Sequence, residues 1–208
     1  MHPNQIFRKT PEARNIAFAR EIGFGMLAIS TPGAPLISHI PFLLSEDGRL
    51  AEFHLVRSNP IARAMKDGAV AARIAVQGPH SYISPDWYGI DDQVPTWNYV
   101  AVHLTGDITL APEEGLLNLL DRQSEGLEAR LAPKQPWVTD KVSDGVMERM
   151  MRQIVPCRME VTQIDGTWKF SQNKIDSARH LAADHVDGYG MGSEVRLLAA
   201  MMRADPET

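Results

Sequence analysis

The chain has 208 residues, 44% of them apolar and 23% charged, which is the composition of one soluble globular domain and excludes disordered and fibrous chains. Twenty-one basic against 26 acidic residues leave a net charge of −5, which weighs against broad electrostatic binding to nucleic acid. The single cysteine, Cys157, excludes an intramolecular disulfide and points to a reducing, cytoplasmic setting. No stretch approaches the 18 or so uninterrupted apolar residues of a membrane span, and Met1 to Thr10 is too polar to read as a secretory leader.

Thr10-Pro11-Glu12 opens a helix carrying Ile16, Phe18, Ala19 and Ile22, and Gly23 stops it. Phe24 to Thr31, Pro35 to Leu44 and Leu50 to Val56 read as three strands joined by turns, a meander and not a βαβ unit. Asn59-Pro60 caps a short helix through Met65 and Lys66. A fourth strand, Ala69 to Gln77, is expected to break at Gly78-Pro79. Residues 84 to 96 read as a loop of about 13 residues, a length that is usually functional. Trp97 to Leu110 alternates as a half-buried strand.

Pro112 begins a helix whose Leu116, Leu117, Leu119, Leu120 and Leu127 form an apolar stripe, and Val142 to Ile154 is a further helix. Asp165-Gly166 predicts a terminal hairpin between Arg158–Ile164 and Trp168–Phe170. From Ile175 onward the chain reads as one or two helices separated by glycines. Six or seven strands in adjacent antiparallel pairs with late helices predict an α+β fold, a small β-barrel with helical decoration. The expected division is a domain over 1–174 and a helical tail over 175–208.

Nucleophile-elbow, zinc-protease, dinucleotide and phosphate-loop signatures are missing, and His180 and His185 stand five apart, the wrong spacing for a helical metal pair. No metal site is expected. Polar and aromatic residues concentrate instead in SHIPF (38–42), HLVRSNP (54–60), QGPHSYISPDWY (77–88), VPTWNY (94–99) and KFSQNK (169–174). Arg57-Ser58-Asn59 precedes a helix start, which suits either a phosphate site or a plain N-cap beside a surface arginine. His39, His54, His80 and His103 suit core or ligand roles alike.

In this order and spacing the five segments resemble the PaiB-type FMN-binding negative transcriptional regulators, a family similar to the FMN-binding split barrels. The resemblance implies that split-barrel fold and a homodimer with FMN at the subunit interface. It implies that Ser38, His39, Ile40, Pro41 and Phe42 run along the isoalloxazine, and that His54, Arg57, Ser58 and Asn59 face the phosphate. Thr96, Trp97 and Asn98, with Lys169, Gln172, Asn173 and Lys174, would close the site or come from the neighbouring subunit. The implied function is regulation coupled to flavin occupancy or redox state; an FMN-dependent oxidoreductase is the alternative, and haem binding a third reading. DNA binding is implied by the family name, without support from the charge.

Overall fold

The computed structural model describes residues 2–143 and 145–204. It is an α+β fold in which an antiparallel sheet carries helices, the split-barrel class. The strands are β1 (Phe24–Ile29), β2 (Leu36–Pro41), β3 (Leu43–Leu44), β4 (Leu50–Val56), β5 (Val70–Ile83), β6 (Thr96–Leu110), β7 (Ile154–Lys169) and β8 (Gly192–Ser193). They pair in the order β2-β1-β5-β6-β7-β4-β3, an open path, and β8 adds to β5 through His80–Ser193 and Ser81–Gly192. The helices are α1 (Glu12–Ile22), α2 (Pro60–Ala64), α3 (Leu116–Glu128), α4 (Val146–Met151), α5 (Asp176–Tyr189) and α6 (Val195–Arg203).

Contacts divide the chain into two compact units. The first comprises 1–18, 76–103 and 164–208, with a core of Phe18, Ile83, Tyr88, Val100, Trp168 and Phe170 and the inner faces of α5 and α6. The second comprises 19–75 and 104–163, with Leu27, Ile40, Phe53, Ile61, Ile74, Leu104 and Met159 buried at its centre. In the first unit the Arg179 guanidinium is buried and donates to the backbone carbonyls of Met202 and Ala204 and, at 2.9 Å, to Asp176. This ties the end of α6 to the start of α5.

Four expectations need correction. β5 does not break at Gly78-Pro79: it runs on to Ile83. Gly78 is there because a side chain would strike the Phe18 ring, and Pro79 falls after the last β1 partner, Ala75, so its missing N–H takes nothing from that ladder. There is no hairpin at Asp165-Gly166, since β7 is continuous through Lys169; a Cβ on Gly166 would land on the Asn15 amide. The helix expected over Val142–Ile154 is limited to α4, Ile154 already belongs to β7, and Asp144 lies outside the described residues. On α3 the stripe narrows to Leu116 and Leu119 with Gln123, leaving Leu117 and Leu127 exposed. The expected tail resolves into α5, β8 and α6; its residues 205–208 lie outside the described residues.

Candidate functional site

In the first unit, β6 begins at Thr96 and β7 ends at Lys169, and the chain then turns back through Ser171 into α5. Ser171 holds φ at +62°, a left-handed conformation that a non-glycine residue keeps only where its surroundings impose it. The imposition is visible: the buried Ser171 hydroxyl lies 2.6 Å from the Tyr88 hydroxyl and accepts from Asn98 Nδ2 at 2.9 Å. Asn98 is fully buried, and its Oδ1 has no hydrogen-bond partner among the described residues.

This turn floors a cavity of about 190 Å³ lined by His2, Tyr88, Thr96, Lys169, Asn173 and Lys174, among others. Lys169 Nζ donates to Thr96 Oγ1, and Lys174 Nζ donates to Gln93 Oε1 while lying 5.5 Å from the centre of the Tyr88 ring. Both of these partners, Thr96 and Gln93, are neutral. Burial pulls the Lys169 ammonium below the ordinary lysine value, and burial together with the Lys169 charge lowers His2. Two cations thus converge on a partly dry hollow, an arrangement complementary to an anion.

In the second unit several of the other expected residues make bonds within the protein. Asn59 caps α2, its Oδ1 accepting from the Ile61 N–H at 2.8 Å, and its Nδ2 donates to Ser38 Oγ at 2.8 Å. Arg57 donates to Glu113 at 2.9 Å and to the carbonyls of Arg152 and Ile154, so three of its five N–H groups are already engaged. Ser58 is exposed. His54 Nδ1 donates to Gln123 Oε1 at 3.2 Å, and Gln123 Nε2 reaches the Pro41 carbonyl at 3.4 Å. Ile40 and Phe42 are core residues, whereas His39 is exposed and stacks on Phe24 with ring centres 6.3 Å apart.

Trp97, 41% exposed, donates its indole N–H to His80 Nδ1 at 3.2 Å. Its ring is edge-on to Tyr82, which meets Trp87, which in turn stacks on His185 at 5.8 Å. Gln172 is structural, bridging the Trp168 carbonyl and the Phe170 N–H across the turn. Reasoning from sequence missed His2, Gln93 and Gln123, which carry no motif. Tyr88 and Ser171 lie inside the conspicuous strings and could have been found there.

Among the described residues no helix is long and apolar enough to cross a membrane. Residues 1–163 match the family described as "Putative FMN-binding domain". The chain is 30% identical over 176 residues to the protease synthase and sporulation protein PAI 2 of Bacillus subtilis, covering 84% of this chain and 83% of that protein. Among solved structures it is similar to an FAD and heme binding protein from Mycobacterium smegmatis, with a TM-score of 0.55 at 12% identity over 88% of this chain and 80% of that one. It is also similar to the flavocytochrome Anf3 from Azotobacter vinelandii, with a TM-score of 0.53 at 12% identity over 81% and 72%. At such identity these two likenesses establish the fold alone. The family match over most of the length, joined by the relative in B. subtilis, identifies the chain as a member of this FMN-binding family.

Proposed function

We propose that the Lys169–Lys174 cavity receives the negatively charged end of FMN, and that flavin occupancy or redox state is what the protein passes on to a regulatory partner. The observation that carries this reading is the pair of lysines that donate to the neutral side chains of Thr96 and Gln93. FMN brings a phosphate of nearly two negative charges, and the donors at hand, two ammoniums with Thr96 and Asn173 beside them, fit it. The hollow admits part of such a ligand and not the whole. When bound, FMN supplies hydride and single-electron chemistry; the protein's part is to bind it, orient it and exclude water. A regulatory output is supported by the relative named for protease synthesis and sporulation.

An oxidoreductase is the second reading, favoured by the half-open Trp97 indole, a flat surface on which a planar substrate or ring can stack. A homodimer belongs to the proposal as well. Its support is the outer face of β1 and β2, where Phe24 is 50% and Ile37 58% exposed beside His39.

The test is an absorbance spectrum of the purified protein with and without added FMN, followed by NAD(P)H under air. Saturable flavin uptake that is lost in a Lys169→Ala, Lys174→Ala double variant supports the site. Bleaching by NAD(P)H favours the oxidoreductase, and bound flavin that stays oxidised favours the sensor. Undiminished uptake by the double variant overturns the assignment.

A further inference from the structure

In the second unit, α1, the kink between β2 and β3, and α3 enclose a groove of about 200 Å³. We propose that this groove binds a small aliphatic monocarboxylate. Its volume equals about seven waters of liquid, enough for a short-chain acid.

The α3 wall consists of Gln123, Gly126 and Leu127, spaced i, i+3, i+4 along one helix face, and Arg130 follows in the 3-10 turn that continues the helix. Such a stripe ordinarily carries side chains that close the helix onto the sheet. Here its centre is an exposed glycine, and among the described residues no atom outside the local helix lies within 4 Å of where a Cβ would stand. A glycine inside a helix costs about 1 kcal/mol relative to alanine. At this position the helix gives up that stability and keeps an open space.

The lining is of two kinds. Pro41, Phe42, Leu43 and Leu127 are apolar, and Arg20 and Arg130 bring guanidinium groups. Arg20 spends its Nε–H on the Leu44 carbonyl at 3.1 Å and leaves an NH2 4.0 Å from the exposed Glu46. Arg130 has no ion-pair partner among the described residues. Glu21 in the wall and Glu46 beside Arg20 match the two guanidiniums in number, and Arg130 is the one of the two forks left to meet a ligand carboxylate. A guanidinium fork matches a carboxylate through two parallel hydrogen bonds, and the nearly buried Gln123 amide, whose bond to Pro41 is long at 3.4 Å, can supply a further N–H. An alkyl chain then covers the Phe42 and Leu43 side.

The experiment titrates the FMN-loaded full-length protein with hexanoate, following chemical shifts of the α3 amides, and repeats the titration with hexylamine and hexanol. Hexanoate is expected to saturate, with the amine and the alcohol at least tenfold weaker. Gly126→Leu sets an apolar side chain on this wall, at a position where its Cβ meets no neighbour. It is expected to abolish hexanoate binding while the melting temperature does not fall and FMN stays bound. Arg130→Ala is expected to weaken hexanoate about tenfold. Absence of saturable binding, equal binding of hexylamine, or hexanoate affinity indifferent to both variants overturns the proposal.

Discussion

Trp168 donates its indole N–H to Asn15 Oδ1 at 2.7 Å, and the bond forms inside the core because Gly166 leaves room for the amide. Both partners are buried, so each depends on the other for its hydrogen bond. Asn15→Ala strands the indole N–H and should cost about 1–3 kcal/mol. Gly166→Ala pushes the amide off its partner and should cost a similar amount, although alanine suits a strand better than glycine. Urea unfolding of the two single variants and the double variant checks this; strictly additive losses would mean that the two changes do not act on one bond.

Lys169→Ala or Lys174→Ala should each weaken FMN by about 1.5–3 kcal/mol, a loss of roughly 10–100-fold, since each removes one charge-assisted donor. Arg57→Ala should change FMN affinity less than threefold and instead lower the melting temperature, because Glu113 and the carbonyls of Arg152 and Ile154 lose their donor. Flavin titration of the three variants decides between the lysines and the arginine.

Flavin affinity should depend on pH through Lys169. Burial lowers its pKa, so the ammonium gives up its proton at a lower pH than an exposed lysine does. Affinity is therefore expected to decline on the alkaline side earlier than exposed lysines would allow, and Lys169→Arg, which stays charged, should flatten the decline. A profile of dissociation constant against pH for both proteins is the measurement.

The Cys157 thiol is buried, and burial pushes its pKa up to about 12 from an ordinary value of 9.0. The folded state thus holds the proton more tightly than the unfolded one. This contribution is intact below about pH 9 and is lost as pH climbs toward 12, at up to about 1.4 kcal/mol per pH unit. Native protein at pH 8 should resist a thiol reagent and react once unfolded; Cys157→Ala should lessen the alkaline loss of stability.

Substituting Phe24→Glu together with Ile37→Glu places charge on the outer face of β1 and β2, and the proposed homodimer should give way to monomer with the fold unchanged. Light scattering after size exclusion tests this, and a monomeric wild type at micromolar concentration would remove the dimer from the proposal.

Features set by neighbours in sequence were legible from residues alone. Asn59-Pro60 announces α2 because cap and proline act within one turn. Leu50–Val56 was bounded correctly by its turns and its alternation. Glycine misled at Gly78 and Gly166, because the same absence of a side chain serves a tight turn and a close approach, and the partner that decides, Phe18 or Asn15, is more than fifty residues away. The strings holding Thr96, Lys169 and Lys174 were conspicuous, but their convergence with His2 depends on β6 and β7 and is invisible in one dimension. Gln123 gave no signal, being one polar residue on an otherwise amphipathic helix.

Arg179 makes the last turn of α6 an electrostatic element as well as a packing one. Its charge is shielded from water, and its named acceptors are two backbone carbonyls and the Asp176 carboxylate. If those two carbonyls are removed, a cation is left in an apolar interior with one partner, at a cost set by desolvation and not by lost contact area. The residues around Met202 therefore act as the counterweight to a charge, and the core of the first unit is sound only while the chain beyond α5 stays folded against it.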